Sequence, residues 1–182
     1  MEREEKVCMI TGMRSKSLRC FSEDEKSCLL NARLKDVICH LIREHNVGKF
    51  ISGLAPGIEI LSAELVIDMR KSSPDLQLEC VEAYEYQGYY HHRRQIDLAR
   101  YKNVMAECDK RTVLFERYQL DCESAHRKYM VDSSDYIVAV WDRLPGDHIG
   151  IVPYALTQKR SIIRLNPRSM VITWPKEWSE LY

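Results

Sequence analysis

Between Ile51 and Glu64 the chain reads ISGLAPGIEILSAE. Two of its seven glycines, Gly53 and Gly57, frame a short loop here, and the carboxylate of Glu59 follows close behind. Glycine lets a backbone approach a ligand closely because no side chain stands in the way. Pro56 fits the start of a helix, whose first amides have no partner within the helix and can receive a phosphate or carboxylate. Glu59 then falls in the first helical turn. It either complements the helix dipole and caps backbone donors, or binds ribose hydroxyls or acts on a glycosidic bond. The spacing matches neither the Gly-x-Gly-x-x-Gly fingerprint of dinucleotide folds nor the phosphate loop of ATPases.

Three further loops carry polar chemistry. TGMRSKS, from residue 11, combines a sharp turn at Gly12 with Thr11, Arg14 and Ser15 as donors. An anion is the natural partner of such a set, and a plain strand-to-loop turn with a surface arginine is the alternative. AYEYQGYYHHRR, from residue 83, packs four tyrosines, two histidines and two arginines into twelve residues. Beginning with Tyr84, it reads either as a base-stacking wall or lid over a pocket, or as an exposed loop that buries some of its rings. His91 and His92 are adjacent and poorly spaced for sharing a metal, so no metal site is expected. In DRLPGDHIGIVPYA, from residue 142, Pro145 and Gly146 make a turn. Asp147 there either caps the following helix, or Gly146 and the next amides hold a second part of a ligand. No Ser/His/Asp or Cys/His nucleophile arrangement emerges from these loops.

Such loops must be positioned by regular elements, and the hydrophobic pattern supplies them. KVCMITG, KFISG, LQLECVE, RTVLFE, DYIVAVW and SIIRLN read as six strands. Between them lie helical patterns: one opened by a Ser22-x-x-Glu25 capping box, with Leu30, Leu34, Val37, Ile38 and Leu41 as its core stripe, then Ile58–Lys71 with Leu61, Leu65 and Met69 on one face, Arg94–Cys108, Ser124–Ser133 and Ile149–Gln158. About six alternations of strand and helix predict an α/β fold with a mostly parallel sheet and helices on both faces. Ligands of such sheets bind at the carboxyl ends of the strands, where the four loops above fall.

At 182 residues the chain reads as a single domain over 1–182, its core at about 7–166 and a tail at 167–182 that wraps the surface. Lys plus Arg equals Asp plus Glu, 27 each, so the chain lacks the basic footprint of a nucleic-acid or membrane-surface binder. A nucleic-acid partner is argued against on that ground. The N-terminus is no signal peptide, and no apolar run reaches membrane-spanning length. Seven cysteines without any Cys-x-x-Cys read as reduced thiols of a cytoplasmic protein, with Cys122, in a loop-like stretch, the one to watch for reactivity.

The blocks ITGMR, FISGLAPGIEILSAE, CESAHRKYMVDSSDYIVAVWD and PGDHIGIVPYA, in that order, resemble those of the YpsA-like family of the SLOG superfamily, which is related to DprA and to LOG-type cytokinin-activating enzymes. The resemblance spans about residues 7–166. It implies a Rossmann-like three-layer sandwich, a nucleotide or nucleotide-derived ligand, no bound cofactor, and a bacterial or phage source. It carries ligand contacts onto Thr11, Gly12 and Arg14, with Met13 where the family has His. It also carries them onto Ser52, Gly53, Ala55, Gly57 and Glu59, where Glu replaces a common Asp. The family's Arg-Asn pair falls on His126 and Arg127, and its Gly-Gly-Thr block near Gly146, Asp147 and His148, so only the first glycine of that block survives. An aspartate there repels an anion unless it turns away or binds ribose hydroxyls.

The functional expectation is a sensor or sequestering module that binds a nucleotide-derived small molecule without turning it over. One alternative is a LOG-like nucleotide N-glycosidase with Glu59 as its acidic residue, although the LOG motif is absent. The other is a protein-interaction scaffold. A homo-oligomer is compatible with superfamily analogy.

Overall fold

The computed structural model describes residues 4–14, 24–91, 95–142 and 151–175. Its strands are β1 (Lys6–Gly12), β2 (Val47–Ser52), β3 (Gln77–Tyr84), β4 (Lys110–Phe115), β5 (Tyr136–Val140), β6 (Ser161–Leu165) and β7 (Ile172–Thr173). The helices are α1 (Asp24–His45), α2 (Ile58–Met69), α3 (Gln87–His91), α4 (Gln95–Glu107), α5 (Cys122–Asp132) and α6 (Ile151–Thr157). The capping residue Ser22 lies outside the described residues.

The strands form one sheet in the order β4-β3-β2-β1-β5-β6-β7. All neighbours are parallel except β7, which runs antiparallel to β6. The expected Rossmann-like sandwich is therefore present, with seven strands rather than about six. The seventh comes from the tail, where Arg164 pairs with Thr173 and Leu165 with Ile172. Two residues of ladder are too short a run to show a strand period, which is why sequence reading left them in a surface tail.

Strand alternation sorts the core onto two faces. Cys8, Ile10, Phe50, Leu78 and Cys80 pack with the stripe of α1 and with α2 and α4. Met9, Ile51, Val81, Ile137 and Ile162 pack with α5 and α6 through Met130, Val131, Val152 and Ala155. All five expected stripe residues of α1 are buried, as an amphipathic helix on a sheet requires. Helix α2 departs from expectation: Leu61 and Leu65 are only half-buried, whereas Ile58, Ile60, Ala63 and Val66 are buried. It sits between the sheet and its helical neighbours, so more than one face is covered. Its Glu64 also receives a two-pronged ion pair from Arg100 of α4, at 2.7 and 2.5 Å.

Cys122 is corrected. It opens α5, is fully buried, and packs with Ala83 and Tyr84, so the exposure a reactive thiol needs is missing.

The strand order reverses between β1 and β5: β2, β3 and β4 build outward on one side of β1, while β5 joins the other. The crevice at the carboxyl ends of these strands is where this class of sheet accepts ligands.

Candidate functional site

Strand β1 delivers Thr11 and Gly12 to that edge, the turn after it Arg14, and the turn after β2 Gly53 and Ala55. With Glu59 of α2 they form one wall of an open cleft that holds about 490 Å³ of space, its solvent mouth included. The facing wall is α5, through Glu123, His126, Arg127 and Met130. Their spacing of three, four and seven residues places them on one helix face. Gln87 and His91 of α3 and Ile151 of α6 complete the lining.

The centre of the site is the Glu59 carboxylate, which is buried. One oxygen accepts the Thr11 hydroxyl at 3.0 Å and the other accepts the Ala55 amide at 3.0 Å. Two chain segments, the end of β1 and the turn after β2, thus converge on one side chain of α2. Each carboxylate oxygen has two acceptor positions, so capacity remains for two further donors such as sugar hydroxyls. Leu54, between Gly53 and Ala55, has a φ of 63°, a left-handed conformation that is uncommon for a branched side chain. Ser52 works behind the wall: its hydroxyl donates to the Glu59 carbonyl at 3.1 Å and accepts the Leu54 amide at 3.2 Å.

The glycines are explained by protein groups that crowd them. A Cβ on Gly53 would lie 2.7 Å from Glu59 Oε2 and 2.7 Å from His126 Cε1. Gly57 has a φ of 128°, and a Cβ there would meet the Met13 carbonyl at 2.4 Å. That carbonyl accepts the first amide of α2, Ile58 N–H, at 3.1 Å, and Arg14 bridges to Gly57. Gly57 therefore holds the turn after β1 against the start of α2, and Gly12 lets β1 lie close to Val140 of β5.

The histidines have assignable protons. His126 Nε2 lies 2.9 Å from the Val81 carbonyl, which can only accept, so this nitrogen carries hydrogen. The Gln87 side-chain oxygen takes the Ala83 amide, which turns its NH₂ toward His91 Nδ1 at 3.4 Å. The proton of a neutral His91 then resides on Nε2, 3.6 Å from Glu123. Burial holds His91 below the ordinary histidine range. Glu123 opposes that shift, while Arg14 and His126 reinforce it. The cleft thus offers two guanidinium groups, a seated carboxylate, a second carboxylate and two imidazoles.

Of the sequence-predicted residues, Thr11, Gly12, Arg14, Gly53, Ala55, Glu59 and Arg127 line the cleft, whereas Ser52 and Gly57 buttress it. Tyr84 is buried next door, at the floor of a separate groove lined by Glu85, Tyr86, Tyr90, Glu116, Arg117 and Tyr118. Gly146, Asp147 and His148 lie outside the described residues. Sequence reasoning missed Gln87, His91, Glu123, Met130 and Ile151 as wall residues. The signal for the α5 pair was its helical spacing with Arg127. Among the described residues, no cluster of three or more histidine, cysteine or carboxylate side chains is arranged to hold a metal. No helix among them is long and apolar enough to cross a membrane.

Comparison with known proteins places this geometry in context. A UPF0398 protein of Staphylococcus epidermidis, found in two strains, is 27% identical over 143 residues, covering 75% of this chain and 73% of the relative. Among solved structures, DNA processing protein A (DprA) of Streptococcus pneumoniae superposes with a TM-score of 0.59 at 10% identity, over 90% of this chain. This chain spans about half, 51%, of that protein. DprA of Helicobacter pylori gives a TM-score of 0.59 at 11% identity, over 97% of this chain and 71% of that one. At such identities the likeness is one of fold.

The Helicobacter structure is described for its single-stranded DNA binding mode. It overturns the expectation that charge balance argues against a nucleic-acid partner. Net charge sums the whole surface, whereas binding depends on local placement, and here Arg14 and Arg127 share one cleft. The YspA SLOG family (YpsA) matches over residues 8–160, which hold five of the seven strands and the whole cleft lining, and the chain belongs to that family.

Proposed function

We propose that the cleft binds a nucleotidyl group, with phosphate on Arg14 and Arg127 and sugar hydroxyls on Glu59, and that the protein acts as a cytoplasmic sensor or sequestering module. One observation carries this reading. A buried carboxylate, fixed by Thr11 and Ala55, faces a cleft with two guanidinium groups at the carboxyl ends of parallel strands. Guanidinium groups match phosphate geometry, and a carboxylate with spare acceptor positions matches a diol. The SLOG family membership and the DprA-like fold support the same reading. The 3′-terminal nucleotide of a single strand also presents a phosphate together with a free sugar hydroxyl, and the likeness in fold to the Helicobacter protein favours that second form of the ligand.

Thermal unfolding with AMP, ADP, ATP, GTP, NAD, ADP-ribose and cyclic nucleotides tests the proposal. A ligand at about a hundred times its dissociation constant adds about 2.7 kcal/mol of stability. At least one ligand is expected to raise the melting temperature of the wild type, with the shift lost in Arg14→Ala and in Glu59→Gln. No shift with any ligand, or shifts that persist in both variants, would sink the proposal. Chromatography of the bound ligand afterwards separates binding from turnover, since an N-glycosidase releases free base.

A further inference from the structure

Beside the cleft lies the tyrosine groove, which the reading above leaves without a role. Tyr86, Tyr90 and Tyr118 are 63%, 66% and 64% exposed. Soluble proteins seldom leave three aromatic rings exposed around one concavity without a use for them. Two of them pack on a buried fourth ring. Tyr84, buried at the floor, meets the Tyr118 ring edge-on at 5.4 Å between centroids and lies 6.3 Å from Tyr90. Tyr86 has a φ of 62°, an outlier for a bulky aromatic residue, and such conformations cluster at ligand-contacting positions.

Two features say what enters. First, the groove adjoins the cleft. The Tyr84 ring meets His91 edge-on at 6.3 Å, and His91 lines the cleft. Second, the two linings differ in kind. The cleft sets Arg14 and Arg127 beside the carboxylates of Glu59 and Glu123 and has no tyrosine in its lining, whereas the groove is walled by Tyr84, Tyr86, Tyr90 and Tyr118 with Glu85 and Glu116 among them. Glu85 is partnered by Arg111 at 3.0 Å. The guanidinium groups of the cleft suit phosphate, and a flat, uncharged ring with N–H donors suits the groove. Aromatic faces stack any nucleobase, and carboxylates accept base N–H groups.

We propose that the tyrosine groove stacks the base of a nucleotide adjoining the one held in the cleft, so that the ligand is a single-stranded nucleic acid of two or more nucleotides. This inference rests on the nucleotidyl reading of the cleft.

The test measures binding of a 5′-phosphorylated, mixed-sequence decadeoxynucleotide and of the matching 5′-mononucleotides, by calorimetry at fixed salt. NAD serves as the arm for a small dinucleotide. The proteins are wild type, Tyr86→Ala, Tyr118→Ala and the two corresponding Tyr→Phe variants, each checked for folding by its melting curve. The decamer is expected to bind wild type at least about tenfold more tightly than any mononucleotide or NAD. Each alanine variant is expected to weaken the decamer by about fivefold to a hundredfold, the range of one stacked base, while leaving mononucleotide affinity unchanged. The phenylalanine variants keep the ring and are expected to retain decamer binding. A decamer no tighter than a mononucleotide or NAD, or one indifferent to both alanine substitutions, would overturn the inference while mononucleotide binding keeps the cleft reading intact. Absence of binding by every ligand would overturn both.

Discussion

At Gly57 the backbone runs through φ 128°, and a methyl group there would press on the Met13 carbonyl and on the Arg14 backbone. Neither can move without disturbing the exit of β1. Gly57→Ala is therefore expected to cost about 1–3 kcal/mol, read as a lowered urea midpoint. Gly48 makes the control. The three atoms nearest to a Cβ there all belong to the exposed, flexible Glu5 side chain, which can swing aside, so Gly48→Ala is expected to stay within about 0.5 kcal/mol of wild type. Equal losses at the two positions would refute this account. The pair Gly53 and Gly57 stood out in the sequence as special, and so did Glu59. What crowds them was not legible, because Met13 and His126 reach the loop from far along the chain. The left-handed Leu54 was equally invisible, since leucine carries no signal for such a conformation.

Among the elements, β3 shows how burial and charge can coexist. Its Glu79 is buried, yet it accepts Lys49 at 2.5 Å, Lys110 at 3.0 Å, and the hydroxyls of Thr112 at 2.6 Å and Tyr129 at 3.0 Å. Burial alone would raise its carboxyl, but the hydrogen bonds from Lys49, Thr112, Lys110 and Tyr129 together outweigh it and hold the pKa at about 2, against an ordinary 4.5. The sign follows from linkage. The carboxyl is harder to protonate when folded, so its contribution is complete above pH 4.5 and fades as pH falls toward about 2. Glu79→Gln is expected to lower the urea midpoint at pH 7 and to lose less of it than wild type between pH 4.5 and 2. A parallel decline in both proteins would contradict this. The strand itself was plain from LQLECVE, and so were its neighbours. The partners of Glu79 were not, because β2, β4 and α5 each supply one or more of them, and a pattern along one strand says nothing of its flanks. For α5 the expected helix, Ser124–Ser133, began two residues late and left Glu123 outside it; the structure starts the helix at Cys122 and brings Glu123, His126, Arg127 and Met130 onto the one face that turns to the cleft.

For the whole molecule, neutrality with local basic placement has a measurable signature. If a single strand binds with phosphates on Arg14 and Arg127, the logarithm of affinity is expected to fall with the logarithm of salt at a slope of about −1.4, from about 0.7 per contact. A slope several times steeper would mean that a wider basic surface takes part. The alternating pattern of strands and helices made the parallel sheet legible as a whole, because buried parallel strands are apolar on both faces. The addition of β7 escaped it.

The central position of β1 also bears on how the protein is made. A ribosome delivers β1 first, and β2, β3 and β4 follow in the order in which they join its one side. The other edge of β1 must wait for Tyr136–Val140, which pairs with Cys8–Gly12. Until then the nascent chain carries an unpaired strand edge, the kind of surface that invites wrong partners. The crevice between β1 and β5 is consequently among the last features to close during translation. Nascent chains arrested before Tyr136 are expected to be cut freely by protease, and those arrested once Leu165 has left the exit tunnel to resist it.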